Sequence, residues 1–165
     1  MKKYRNYLLI FFCITFLISV LPAMKLPGGI RLLVVQLSSM EPTIKTKSLI
    51  IVRSEKIYKE RDVITFIDEN PEGGKYPTIT HRIQMIINED GNVYYMTKGD
   101  GNHFSDQSFV PYNQVIGKVI KVIPYLGWIV DIVKSIPGII FLVFLPALVI
   151  VRSEYLNILD EIKKA

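Results

Sequence analysis

The chain has 165 residues, half of them hydrophobic, with a mean hydropathy of +0.30 and a formal net charge of +5. Its one cysteine, Cys13, lies inside an apolar run, which excludes a disulfide framework and a cysteine-based zinc cluster. The positive charge invites a nucleic-acid partner, but several basic residues flank apolar runs and no basic helix or aromatic-interleaved patch occurs. Anionic membrane phosphates account for the charge better, and neither nucleic acid nor a metal, nucleotide or organic cofactor is expected.

In chain order, the first element is the apolar run from Tyr7 to Met24, preceded by Lys2, Lys3 and Arg5 and followed by Lys25. A bilayer crossing needs about 20 apolar residues, so the run predicts a transmembrane helix over residues 7–24, with a cytoplasmic segment 1–6 before it. The alternative is a cleaved secretory signal peptide, since a charged start, an apolar middle and Leu21-Pro22-Ala23 also make that pattern; the greater apolar length favours an uncleaved anchor.

Residues 25–135 predict one domain of about 110 residues, built mostly of β-strands. Leu32–Leu37, Leu49–Arg53, Val63–Ile67, Thr78–Ile87, Val93–Thr97 and Val115–Ile123 are short runs rich in Val, Ile, Tyr and Thr. Glu72-Gly73-Gly74, Asp90-Gly91-Asn92 and Asp100-Gly101-Asn102 supply turn chemistry between them. The hairpin at Asp90-Gly91 would join the strand carrying His81 to the strand leading into Asp100 and Asp106.

A second apolar run, residues 136–151, contains Pro137 and Pro146 and lies between Lys134 and Arg152. It predicts a second, short transmembrane helix, with a buried core helix as the alternative; proline is tolerated in membrane helices, and Tyr125 and Trp128 would sit at the interface. Residues 152–165 would form a short polar cytoplasmic helix beyond it. Basic residues at both chain ends place the ends in the cytoplasm and residues 25–135 on the far side of the membrane.

The chemistry centres on Ser39, between an apolar strand and the proline turn Met40-Glu41-Pro42. A hydroxyl without a base is a weak nucleophile, and its plain alternative is a turn residue that ends the strand. The chain has two histidines. One of them is His81, within Ile79-Thr80-His81-Arg82-Ile83, and histidine is the usual activating base of such a hydroxyl. Thr97-Lys98-Gly99-Asp100-Gly101-Asn102 and then Asp106 offer two carboxylates that could orient an imidazole.

Four stretches resemble, in order and spacing, the conserved boxes of type I signal peptidases: Ser39-Met40-Glu41-Pro42-Thr43, Arg61-Asp62-Val63-Ile64-Thr65-Phe66, Thr80-His81-Arg82, and Thr97-Lys98-Gly99-Asp100 with Asp106. The match runs from about Leu32 to Ile123. Where the common bacterial branch carries a lysine base, this chain carries His81, as the archaeal and endoplasmic-reticulum branch does. The resemblance implies a mainly β fold, a single signal-peptidase-like β catalytic domain flanked by N- and C-terminal transmembrane helices. It implies a membrane-bound serine endopeptidase that removes signal peptides during protein secretion. Ser39 would be the nucleophile, His81 the general base, Asp106 the orienting carboxylate and Asp100 a supporting residue. Expected partners are preproteins with small residues one and three positions before the cut, membrane lipid and the secretion translocon. The compactness of the chain favours the cell membrane over the reticulum.

One departure concerns the oxyanion side. Relatives commonly read Ser-Gly-Ser-Met where this chain has Leu37-Ser38-Ser39-Met40, so the side-chain donor two positions before the nucleophile is missing. Backbone donors suffice, Ser38 compensates, or the enzyme is slower; a catalytically impaired homologue or a non-catalytic subunit of a processing complex is the alternative reading. A self-cleaving repressor-type peptidase of the same clan would use lysine and carry a helix-turn-helix, and neither is seen. His103 reads as a solvated loop residue, Glu41 as a ligand of its own turn, and Met40 as an apolar contact near the site or the lipid surface. Gly99-Asp100-Gly101 lacks the remaining spacing and the Lys-Ser/Thr pair of a phosphate loop.

Overall fold

The computed structural model describes residues 26–68 and 78–163, together with residues 10, 11, 13, 14 and 17 of the N-terminal run. It divides into two compact units, Pro22–Trp128 and Met1–Leu21 with Ile129–Ala165.

The first unit is a seven-stranded antiparallel sheet: β1 (Ile30–Val34), β2 (Leu49–Arg53), β3 (Val63–Ile67), β4 (Thr78–Glu89), β5 (Asn92–Lys98), β6 (Val110–Pro111) and β7 (Val115–Ile123). Their order across the sheet is β1-β2-β7-β3-β4-β5-β6. β2, β3 and β7 coincide with the strands expected from the sequence, and β4 and β5 extend theirs by a residue or two. β4 and β5 meet through Asp90 (φ 48) and Gly91 (φ 78), with Glu89 paired to Asn92. Two successive left-handed residues make the tight turn whose twist matches the strands, which is why Asp-Gly stands there.

The first strand differs from expectation. It begins at Ile30, where left-handed Gly28 and Gly29 turn the chain, and ends at Val34 rather than Leu37. Val35 still exchanges backbone hydrogen bonds with Lys47 and Ser48. Gln36 and Leu37 stand outside the strand and carry the chain into the turn at Ser39. The two-residue β6, half of it proline, is too short to leave a periodic signature.

Apolar side chains gather in two clusters. One holds Tyr58, Ile64, Phe66, Ile83, Tyr95 and Val110; the other holds Val35, Met40, Ile44, Ile50 and Val52, with Val63 partly buried against it. Neighbouring residues of β3 thus face different cores, and each fully buried aliphatic side chain contributes roughly 1.5–3 kcal/mol. Met40 is fully buried in the second cluster. It is the apolar contact near Ser39 that the sequence suggested, and its side chain anchors the turn at Ser39 to the core. Tyr95 packs edge-on against Tyr58, and burial, followed by its tyrosine neighbours, pushes its hydroxyl up to about 12.

The second unit contains most of α1 (Leu126–Lys134) and all of α2 (Ile136–Ile162). The Ser135 hydroxyl between them donates to the carbonyl of Ile132 and accepts from the N–H of Gly138. α2 carries Pro146 inside it and runs on through Arg152, so the tail forms no separate helix. Among the described residues no helix is long and apolar enough to cross a membrane. The apolar stretch of α2 from Ile136 to Val151 amounts to about 24 Å of helix, short of the roughly 30 Å hydrocarbon core. Most of the expected first span, 7–24, lies outside the described residues. Those described, such as Ile10, Phe11, Ile14 and Leu17, are exposed, as are Ile136, Phe141, Phe144 and Leu148 of α2.

Candidate active site

Ser39 lies in the turn that follows β1, anchored on either side by short-range bonds. The carbonyl of Ser38 accepts the N–H of Glu41 at 2.9 Å, and the carbonyl of Met40 accepts the N–H of Ile44 at 2.9 Å. Glu41 closes the turn through its carboxylate, which accepts from the backbone and hydroxyl of Thr46, and those bonds lower its pKa. The carbonyl of Ser39 accepts the N–H of Gly101 at 2.8 Å. A trans peptide points its N–H opposite its C=O. The Ser38 carbonyl is turned into the loop, so the Ser39 N–H is turned away from it.

His81 sits on β4, paired with Ile64 of β3, and is 5% exposed. Phe66 covers one edge of its ring, with centroids 6.3 Å apart. Its Nε2 is 3.0 Å from the Ser39 Oγ and its Nδ1 is 2.6 Å from the Asp106 Oδ2. An ionised carboxylate only accepts, so Nδ1 carries the proton and Nε2 presents its lone pair to the serine hydroxyl. In this tautomer the hydroxyl proton has an acceptor in place, and an imidazolium formed by accepting it would face a carboxylate. The line of atoms can move one proton from Ser39 to His81 and hold the resulting charge.

The two aspartates part company. Asp106 reaches His81, whereas Asp100 receives both arms of Arg82, Nε to Oδ1 at 2.8 Å and Nη2 to Oδ2 at 2.6 Å. Arg82 also donates to the carbonyl of Arg61. The Arg82 bonds, seconded by the Thr43 hydroxyl, hold the Asp100 carboxyl below its ordinary value against the opposing effect of burial. A carboxyl with a depressed folded-state pKa stabilises the fold above its unfolded value and loses that contribution as pH falls through the folded one. Asp100→Asn should therefore lower stability by about 1–3 kcal/mol at pH 7. Thermal unfolding should show that gap constant down to about pH 5 and closing below about pH 4.

Two glycines permit the close approach. A Cβ on Gly99 would stand 2.5 Å from the Ser39 carbonyl oxygen and 3.0 Å from His81 Nε2; one on Gly101 would stand 2.8 Å from the Glu41 carbonyl oxygen. A cleft of about 160 Å³ opens beside Ser39 between the chain at Val34–Leu37 and the strands at Thr65 and Ile79–Thr80. Leu37, 42% exposed, lines it and offers no donor. His103 is exposed in the loop before Asp106.

Four contributors escaped the sequence reading. Arg82 was noted only as part of a box, although a cation inside an apolar strand needs a carboxylate partner. Gly99 and Gly101 were read only as turn formers. Thr97 donates its hydroxyl to Asp106 Oδ2 at 2.6 Å, and the signal for it is a polar residue two places after Tyr95 on a strand that buries both.

No protein-family profile matches the chain. Among curated proteins it is similar to the signal peptidase complex catalytic subunit SEC11 of Pyricularia oryzae, 28% identical over 113 residues, 64% of this chain and 65% of the relative. The subunit of the same name from Metarhizium robertsii is 25% identical over 132 residues, 74% of this chain and 76% of the relative. That from Neurospora crassa is 27% identical over 113 residues, 64% and 65%. The chain thus spans just under two thirds of the length of the first of these relatives. It is similar to the catalytic subunits of signal peptidase complexes.

Proposed function

We propose that the chain is a serine endopeptidase that removes N-terminal signal peptides from exported preproteins. The observation that supports this most is the unbroken line Ser39 Oγ, His81 Nε2, His81 Nδ1, Asp106 Oδ2, with steps of 3.0 and 2.6 Å across the two hydrogen bonds. Ser39 Oγ attacks the scissile carbonyl while His81 Nε2 takes its proton. His81 returns that proton to the leaving amine as the tetrahedral intermediate collapses to an acyl-enzyme. Water, deprotonated by the same imidazole, then releases the acyl group and restores Ser39. The outward-turned N–H of Ser39 is one oxyanion donor. Asp100 acts at one remove, by holding Arg82 and with it the strand that carries His81.

The preprotein lies extended in the cleft beside Ser39, where backbone hydrogen bonds give affinity and small recesses select small side chains. The exposed apolar side chains of the second unit support membrane attachment. The finer reading has residues 7–24 and 136–151 crossing the cell membrane and the β unit on its extracytoplasmic side. Membrane lipid and the secretion translocon would then be its neighbours. Protease added outside sealed cells should digest the β unit, and protection of the unit there would contradict this topology.

The full-length protein in detergent should cut a preprotein once, after small residues at the first and third positions before the bond. Leucine or arginine at the first position should lower kcat/KM by at least about 100-fold, as exclusion from a shallow pocket does. Equal cleavage of both substrates, read by mass spectrometry of the products, would contradict the assignment.

A further inference from the structure

Thr97 stands two residues beyond Tyr95 on β5, so both side chains face the same side of the sheet. Tyr95 joins the core there, and Thr97 is 0% exposed opposite Ile83, itself 0% exposed. A hydroxyl at such a position is unfavourable unless it is hydrogen-bonded. Its partner is Asp106, and the two residues meet twice. The carbonyl of Thr97 accepts the N–H of Asp106 at 2.8 Å, and its Oγ1 donates to Asp106 Oδ2 at 2.6 Å. That same Oδ2 faces His81 Nδ1 at 2.6 Å.

Asp106 needs such a clasp. It follows the exposed residues 101–105, lies in no strand, and its side chain is 24% exposed, so a turn about its Cα–Cβ bond would carry the carboxylate into solvent. We propose that Thr97 is a positioning residue for the hydrolytic site: it holds Asp106 Oδ2 against His81 Nδ1 and so keeps the imidazole in the tautomer that can accept the serine proton. The inference rests on the reading of Ser39, His81 and Asp106 as a catalytic triad, and it assigns Thr97 no contact with substrate. Two donors converging on one carboxylate oxygen also bias that oxygen, rather than Oδ1, toward the ring.

The test compares the full-length wild type with Thr97→Val, which keeps the shape and removes the donor, and Thr97→Ser, which keeps the donor. Proton NMR in micelles reads the His81 Nδ1–H directly, whether or not the protein is turning over. Wild type and Thr97→Ser should show a low-field, slowly exchanging resonance; in Thr97→Val it should be lost to exchange. With a preprotein substrate, kcat should fall about 10- to 100-fold in Thr97→Val with KM unchanged, the range expected for one hydrogen bond to a charged group. Thr97→Ser should restore it. Should Thr97→Val fail to fold, Thr97→Ala, which also lacks the donor, gives the same readout at a retained melting temperature. A resonance and kcat that stay at wild-type values in the folded donor-less variant would overturn the role of Thr97. Ser39→Ala in the same assay separates the two claims. Wild-type cleavage by it would sink the triad reading, while the resonance would still report on the clasp.

Discussion

His81→Ala should lower preprotein cleavage by on the order of a million-fold, and Asp106→Asn by on the order of 10,000-fold, the losses that Ser-His-Asp hydrolases show at the corresponding roles. The two values differ for a reason visible in the site. Without the imidazole, the acceptor that stands 3.0 Å from the Ser39 hydroxyl is gone. With asparagine at 106 the ring remains, but the amide can donate toward Nδ1. That favours the tautomer with its proton on Nε2, where the serine needs a lone pair. Asp100→Asn removes a carboxylate of the same kind six residues away and should cost far less activity, because Asp100 spends both oxygens on Arg82. Single-turnover cleavage, with folding followed by thermal unfolding, separates the three. A loss in Asp100→Asn as large as that in Asp106→Asn would contradict the division of labour between the aspartates.

Gly99→Ala should reduce kcat by on the order of 100-fold or more, the cost of displacing a catalytic group by about 1 Å. The added methyl would lie 2.5 Å from the Ser39 carbonyl oxygen, 2.9 Å from the Asn102 amide nitrogen and 3.0 Å from His81 Nε2. The first of these is backbone and is already held by the Gly101 N–H, so it cannot swing aside as a flexible side chain would. Either that bond breaks or the loop carrying Asp100 moves away from the nucleophile. Overpacking of this sort also destabilises by about 1–3 kcal/mol. Gly91→Ala is the control: it too resists substitution, but through its φ of 78° in a hairpin turn with open space around it. It should lower stability by about 1 kcal/mol with kcat unchanged. Equal kcat in the Gly99 and Gly91 variants would show that the approach of Gly99 to Ser39 has no bearing on turnover.

The parts of this molecule that were legible in its sequence are those fixed by local rules. β2, β3 and β7 are short Val/Ile runs bounded by turn residues, and the Asp90-Gly91 hairpin follows from two residues that accept left-handed geometry. Ser39, His81 and the two aspartates were visible as a set of residue types. What distinguished the aspartates was not local: Arg82 and Asp100 are 18 residues apart and meet only because β4 pairs with β5, with Arg82 opposite Lys98. Thr97 was hidden for the same reason, since a threonine in a strand is ordinary until its neighbour across space is known. The end of β1 was misplaced because Val35 keeps hydrogen-bonding after the ladder has ended, and an apolar run does not reveal where its backbone partners stop. Met40 was legible as an apolar contact, but which cluster it joins, with Val35, Ile44, Ile50 and Val52, depends on neighbours distant in sequence.

The central claim is that Ser39, activated by His81, cuts preproteins. Its most direct test is cleavage of a preprotein by the purified full-length protein beside Ser39→Ala, under identical conditions and with the cut site read by mass spectrometry. The account predicts a single cut by the wild type at the signal-peptide junction and none above background by Ser39→Ala. Wild-type turnover by Ser39→Ala, or no cut at the junction by a folded wild type across several preproteins, would contradict it.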